Sequence, residues 1–456
     1  RDPEMSRGLG DVYKRQGDVR GDDMQARTQG MRSSSCYEMK YTIDDAPNMW
    51  NVQYNVLRRA NRLIEAVENN KITDAEKNQA NVNNIYAQAK SVRALVHFDL
   101  VKVYGMPYSF DNGASMGVPI VTTPIDPLNA SAIPGRNTVA EVYTQIVKDL
   151  TEAIDSKALN VSKSAGDNQG FIDEWAAKAL LTRVYIYMGK NQEALDMAKN
   201  IIENSPYSLW TKAQYANAWD KNNANHINEM IFELVNSGSD DWADREGIAY
   251  LYHEDGYADA ICTKSFVDML AQDPSDVRLD VILPVQLKTD DNGKPTDMYK
   301  TYGDNRIFIN KFPMGSLGDM RLNNLPILRL SEVYLNAAEA AAKLNDKTST
   351  AKYLNEIIKN RTDDTKQLVT ESTATLERVL LERRKELVGE GQRFFDAMRN
   401  NETVTRYTNE DEKGWHYSIN KESQVFDRTY FRTILPIPVS ETNANPTLKA
   451  QQNPGY

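Results

Sequence analysis

Between residues 241 and 257 the chain gathers side chains suited to holding a sugar: Asp241 and Trp242, then Arg245, Tyr250, Tyr252, His253 and Tyr257. A sugar ring has an apolar face of axial C–H bonds that stacks on a flat aromatic ring. Its hydroxyls need amide, carboxylate or guanidinium partners. Asp241, Trp242, Arg245, Tyr250, Tyr252 and Tyr257 meet both needs and are the first candidate ligand contacts. Trp415 and Tyr417, in Gly414-Trp415-His416-Tyr417, form a second candidate set. Each ring taken alone can equally serve to pin its own loop.

The inventory argues for binding and against bond-making. The four histidines are His97, His226, His253 and His416, and no two stand at zinc-motif spacing. The chain has no P-loop and no Rossmann glycine triad. Two carboxylates at glycosidase spacing carry no signal in a chain with 64 acidic residues, because chance supplies such pairs. Asp290-Asp291-Asn292 is followed too soon by Gly293 for an EF-hand loop. No cofactor is expected, although a structural calcium held by scattered loop oxygens stays open. His97, between Val96 and Phe98, reads as a structural histidine. Glu382, Arg383, Arg384 and Glu386 read as surface pairs along one helix, each worth about a few tenths of a kcal/mol. Arg393 and Asp396 are expected to brace that helix against its neighbours.

The formal net charge of -10 disfavours a nucleic-acid partner, which needs a basic face to neutralise phosphates. It also disfavours direct adhesion to anionic lipid. No apolar run approaches the roughly 20 residues of a membrane span. Cys36 and Cys262 could meet in one disulfide, but two buried free thiols are the favoured expectation.

The elements that must position these residues are mostly helices. Trp50 to Asn69 places Tyr54, Leu57, Ala60, Ile64 and Val67 on one face. A longer helix is expected over about 74–104, ended by Gly105 and Pro107. Thr138 and Glu141 spell a capping box that opens the next helix. Phe171 to Met188, a turn at Gly189-Lys190, and Gln192 to Asn204 form a helix pair. Its Ala177, Leu180, Leu181, Tyr185, Gly189, Ala194, Leu195, Ala198 and Pro206 fall at tetratricopeptide-like positions. Similar pairs are expected at 54–104, 139–188 and 327–361, and one long helix over about 375–400. Residues 206–324 lack helical periodicity, which suits a functional insertion. Within them Met230 to Val235 reads as a strand and Asp290 to Lys294 as a hairpin tip.

Several ordered motifs carry a family resemblance. Glu382-Arg383-Arg384-Lys385-Glu386-Leu387 precedes Glu390-Gly391-Gln392-Arg393-Phe394-Phe395-Asp396, then Leu435-Pro436-Ile437-Pro438 and a terminal Asn453-Pro454-Gly455-Tyr456. Upstream stand Gly21-Asp22-Asp23-Met24, Trp50, Tyr54, Asn61, Ala89 to Val101, Tyr104-Gly105-Met106-Pro107 and Leu325 to Ala340. Together these resemble the SusD/RagB family of cell-surface nutrient-binding lipoproteins.

The resemblance implies a mainly α, SusD-like fold in which tetratricopeptide-like helix pairs form a scaffold, with long irregular loop-rich insertions and a little β-hairpin. It divides the chain into an N-terminal helical region (17–205), a ligand-binding insertion (206–324) and a C-terminal region (325–456). Residues 1–16 read as a non-native leader. The implied role is capture of an oligosaccharide or polysaccharide at the outer-membrane surface and delivery to a SusC-like TonB-dependent transporter, without catalysis. The membrane is reached only through an N-terminal lipid outside this chain, and Cys36, with no apolar run before it, is not read as the anchor. Uptake of a peptide or another non-glycan nutrient by the same fold is the alternative. A free-standing tetratricopeptide scaffold and, more remotely, a hydrolase are the other readings. No binding residue is carried over from the family, because its ligand sites sit on variable loops.

Overall fold

Helical periodicity sets the scaffold, and the computed structural model describes it over residues 13–26, 31–124, 134–220, 227–236, 247–253, 256–257, 259–282, 307–312, 319–408, 416 and 419–456. The principal helices are α1 (Tyr13–Val19), α2 (Trp50–Glu68), α3 (Gln79–Tyr104), α4 (Val139–Asp155), α5 (Glu174–Met188), α6 (Asn191–Asn204), α7 (Ile248–Tyr252), α8 (Leu330–Lys343), α9 (Lys347–Lys359), α10 (Leu376–Leu387) and α11 (Arg393–Arg399). α2 buries a stripe of Trp50, Gln53, Val56, Leu57, Ala60, Asn61 and Ile64 against α3. The second half of α3 is buried all round, because α2, α4 and the C-terminal segment enclose it. Packing then runs from α3 to α4, α4 to α5, α5 to α6, α6 to α8, and α8 to α9, with α10 laid on α8.

The expected ends are made by the expected chemistry. Thr138 Oγ1 accepts from the Glu141 amide at 3.2 Å while Glu141 Oε2 accepts from the Thr138 amide at 2.8 Å. Asp173 caps α5 by accepting from the Ala176 amide at 2.8 Å, and Gly189 (φ +72°) ends that helix. Between α3 and α4, Arg93 forks onto Asp149 at 2.8 and 2.6 Å. His97 is structural, as its setting in the sequence suggests. It is fully buried, its Nε2 accepts from the Val121 amide at 3.3 Å, and burial with Arg93 nearby lowers it to about 3.

Among the described residues there are three short antiparallel ribbons, and the first two tie the insertion to the rest. β1 (Met24–Ala26) pairs with β3 (Ala260–Cys262), β2 (Met230–Leu234) with β4 (Leu325–Arg329), and β5 (Val404–Thr405) with β6 (Val425–Phe426). The expected strand at 230–235 is therefore present, and its partner lies far along the chain. The hairpin tip at 290–294 lies outside the described residues. A second apolar core, with Trp210, Tyr215, Trp219, Phe266 and Ile309, sits under the insertion. Cys36 and Cys262 are buried there as free thiols.

The single helix expected over 375–400 is two. α10 and α11 are separated by a turn in which Gly389 and Gly391 take φ of +78° and +76°. α1 crosses that turn so closely that a Cβ on Gly391 would stand 2.5 Å from the Lys14 Cα, and one on Gly17 would stand 2.0 Å from the Gly391 oxygen. Gly391 needs glycine for conformation and for approach, and Gly17 for approach. Lys14 and Gln16 are buried in this crossing, so no structural break falls at residue 17.

The charged cluster of α10 departs most from expectation. Glu382, Arg383 and Glu386 are buried. Arg329, at the end of β4, reaches Glu229 Oε1 at 2.6 Å, Glu386 Oε1 at 2.7 Å and Glu390 Oε1 at 2.8 Å. Arg361, just past α9, binds Glu386 Oε2 at 2.9 Å and Glu229 Oε2 at 3.1 Å. Arg278 binds Asp276 Oδ2 at 2.7 Å and Glu382 Oε1 at 2.6 Å, and Lys311 Nζ lies 2.5 Å from Glu390 Oε1. Burial alone would raise these carboxyls. Arg361 and Arg329 instead hold Glu386 well below the ordinary range. Arg278 and Arg378 hold Glu382 at about 2, and Arg329 and Lys311 hold Glu390 at about 2. Arg393 and Asp396 do brace their helix, Arg393 Nε to Asp22 Oδ1 at 2.7 Å and Asp396 to Arg383 Nε at 3.2 Å.

Gly391→Ala should lower stability by about 2–4 kcal/mol through strain and collision with α1. Gly189→Ala, whose Cβ would meet nothing within 4 Å, should cost only about 1 kcal/mol; urea midpoints compare the two. Arg329→Met should cost about 3–5 kcal/mol by taking one cationic partner from three buried carboxylates, which Arg361 and Lys311 then compensate only in part. Because Glu382, Glu386 and Glu390 titrate below their unfolded values, their stabilisation is complete above pH of about 4.5 and is lost as the pH falls toward 2. Thermal melts at stepped pH should fall off below about 4.5, less steeply in Glu390→Gln.

Candidate ligand-binding face

α7 is one turn and a half, so its tyrosines diverge. Ile248, Ala249, Leu251 and Tyr252 are buried, while Tyr250 stands half-exposed. Tyr252, expected as a ligand contact, is an internal residue with 0% exposure. Its hydroxyl donates to Asp18 Oδ2 at 3.0 Å and its ring packs on Phe312. The physical reason is the second core: a helix that buries Ile248 and Leu251 carries Tyr252 inward with them. Asp18, which also accepts from the Gly391 amide at 2.9 Å, is pushed up to about 7 by burial.

Tyr250 and Tyr257 come together as the sequence suggested. The Tyr257 amide donates to the Tyr250 oxygen at 2.6 Å, and the two half-exposed rings lie 5.3 Å apart at 56°. The Arg32 guanidinium lies 4.0 Å over the Tyr257 ring. Asp259 holds the Arg32 segment in place: its Oδ2 accepts from the Arg32 amide at 3.0 Å and the Ser33 amide at 3.1 Å. Burial raises the Asp259 carboxyl. Arg321, beside Tyr250, forks onto Asp319 with Nε–Oδ2 at 2.9 Å. Two tilted rings flanked by guanidinium and carboxylate groups can stack on a sugar face and bond its hydroxyls. Arg32, Asp259, Asp319 and Arg321 were not read from the sequence, since they are far apart along it and share no motif.

Asp241, Trp242, Arg245, Trp415 and Tyr417 lie outside the described residues. Of the second candidate set only His416 is described, and it is buried. Its Nδ1 lies 3.0 Å from the Tyr37 hydroxyl, and burial lowers it to about 3. An open groove of about 570 Å³ runs along α10 between Leu376, Leu380, Leu381, Arg378 and Arg384, but no aromatic ring lines it. Among the described residues no group of three His, Cys, Asp or Glu side chains is placed to hold a metal ion, and no helix is long and apolar enough to cross a membrane.

The mostly helical scaffold is similar to solved structures of the SusD superfamily. One solved member, from Bacteroides thetaiotaomicron VPI-5482, is 38% identical with a TM-score of 0.85, over 99% of this chain and 96% of that one. A putative sugar binding protein from Bacteroides vulgatus ATCC 8482 is 36% identical with a TM-score of 0.82, over 99% and 98%. The SusD-like protein P25 of Formosa agariphila is 23% identical over 462 residues, 91% of this chain and 80% of that protein. Residues 162–456 match the SusD family, and residues 5–186 match a SusD-like family described as starch-binding and associating with the outer membrane. The chain belongs to the SusD/RagB family. The second match starts inside the stretch 1–16 that the sequence set apart.

Proposed function

We propose that this protein is a non-catalytic glycan receptor of the outer-membrane surface. It captures an oligosaccharide on the Tyr250–Tyr257 face and passes it to a SusC-like TonB-dependent transporter. The observation that carries the reading is the tyrosine pair with its flanking charges, placed on the insertion of a SusD-family scaffold. The family description as starch-binding and outer-membrane associating supports it, as does the 36% identical relative described as sugar binding. Asp241, Trp242, Arg245, Trp415 and Tyr417 remain proposed contacts on the chemistry of their side chains. Anchoring is proposed through an N-terminal lipid, and the step performed is binding and release.

Arrays of glycans and of peptides, probed with the purified protein, separate this reading from peptide uptake; peptide binding with no sugar binding would end it. On the glycan so found, Tyr250→Ala and Tyr257→Ala should each weaken binding by about 1–3 kcal/mol, the range for stacking on a flat ring. Tyr252→Phe should leave affinity unchanged and cost about 1 kcal/mol of stability through the lost bond to Asp18. Calorimetric titration and melting curves measure these. The bound glycan should emerge uncleaved after long incubation.

A further inference from the structure

The loop between α4 and α5 carries a ring that the scaffold does not use. Phe171 is 59% exposed, more than any other large apolar side chain among the described residues. Single exposed apolar residues are ordinary on protein surfaces. What sets Phe171 apart is the rigidity of its loop and the polar groups beside it.

The loop is held from within. Asp173, which caps α5, also accepts from Ser162 Oγ at 2.5 Å. Ser162 Oγ in turn accepts from Asn168 Nδ2 at 3.0 Å, and the Ser162 oxygen accepts from Trp175 Nε1 at 3.2 Å. The loop then lies along the edge of β2: the Glu233 amide donates to the Gln169 oxygen at 2.9 Å, and Gly170 fits against Val235, 3.0 Å from where its Cβ would stand. Phe171 is thus presented on a fixed backbone, which keeps the ordering cost of a contact low.

Beside it lies a platform of amides built on one carboxylate. Glu233 is 1% exposed, and its Oε1 accepts from Gln169 Nε2 at 2.8 Å and from Asn324 Nδ2 at 2.6 Å, one from each edge of β2. Asn324 Oδ1 accepts from the Asn236 amide at 3.2 Å, and Asn236 Nδ2 donates to the Asn323 oxygen at 2.7 Å. Gln169, Asn236 and Asn324 are half-exposed. A primary amide offers two N–H donors and a carbonyl acceptor, so each retains bonding capacity toward solvent after these inner bonds are made. Fixed amides beside an exposed flat ring are the two elements a sugar needs. Residues 319–324 join this platform to the tyrosine pair: Asn323 Oδ1 stands 3.5 Å from where a Cβ on Gly247, the residue that opens α7, would lie, and Arg321 flanks Tyr250.

We propose that Phe171 with Gln169, Asn236 and Asn324 forms a second sugar-binding subsite, stacking one residue of a glycan on the phenyl ring and bonding its hydroxyls to the amides. The subsite rests on the glycan-receptor reading and extends it: the ligand is a chain of several sugars that engages this platform as well as the tyrosine pair.

Affinity electrophoresis in gels containing soluble starch, laminarin, xylan or mannan identifies a polysaccharide that retards the wild-type protein, and calorimetry on that polysaccharide reads the variants. Phe171→Ala should weaken binding about tenfold or more, equivalent to about 1.4 kcal/mol. Phe171→Leu, which keeps apolar bulk without a flat face, should also weaken it. Phe110→Ala, at another exposed phenyl beside Arg428, should bind as the wild type does. Wild-type affinity in both Phe171 variants, with Tyr250→Ala still impaired, overturns the second subsite and leaves the receptor reading standing. If no polysaccharide retards the wild-type protein, the receptor reading fails and the subsite fails with it.

Discussion

Every guanidinium in the buried ion cluster is shared between segments that are distant in the chain. Arg329 closes β4, Glu229 precedes β2, Glu386 lies in α10, Glu390 sits in the glycine turn, and Arg361 follows α9. A buried ion pair adds little stability over an apolar pair of the same volume, because desolvation offsets the attraction. Its consequence is geometric. A buried charge without its partner is costly, so few arrangements of these five segments leave none stranded. The aromatic side chains close the shell: Arg361 lies 4.4 Å over Tyr215 and Lys311 lies 5.1 Å over Trp219. The cluster therefore fixes the loop-rich insertion against the helix pairs at the Glu229–Arg329 end of the β2–β4 ribbon, the end opposite Asn236 and Asn324.

The N-terminal segment is held by the same logic from the other side. Asp22 binds Arg393, Asp23 binds Arg384, and Arg406 donates to the backbone oxygens of Arg20 and Tyr37 at 2.7 and 2.6 Å. α1 lies directly across the Gly389–Gly391 turn, where a side chain on either strand of the crossing would keep it away. β1 then pairs with β3 and carries the Arg32 segment to Asp259, and so to Tyr257. A contact that begins near residue 14 thus ends at the surface where ligand is proposed to bind.

The helix pairs were legible because period and caps are local. Thr138 with Glu141, and Gly189, announce their roles within a few residues. The charge cluster of α10 was not legible, for a physical reason. Acid and base residues three or four apart look the same whether they face water or face partners brought in by β2, β4 and α9, and only the tertiary fold decides which. The break inside 375–400 carried a sequence signal in Gly389-x-Gly391. That spacing does not reveal the left-handed backbone at both glycines, nor the close crossing of α1 over Gly391. At the candidate site the tyrosine pair was legible as composition. The inward turn of Tyr252 was not, because a helix as short as α7 has too few residues to declare a buried face.

The division of labour in the molecule follows from where its constraints are dense. The helix pairs and the ion cluster are satisfied internally: their charges face one another and their aromatic rings face apolar neighbours. The edge at residues 319–324 differs. It leads into β4, whose far end the ion cluster holds at Arg329, yet Asp319, Arg321 and Asn324 are half-exposed beside Tyr250, Gln169 and Asn236. A rigid strand whose inner half is committed to the core and whose outer half bears solvated amides and charges can present a ligand surface without deforming. Substitutions at that outer half touch few buried partners, so the same scaffold can carry different surface chemistry with little cost in stability.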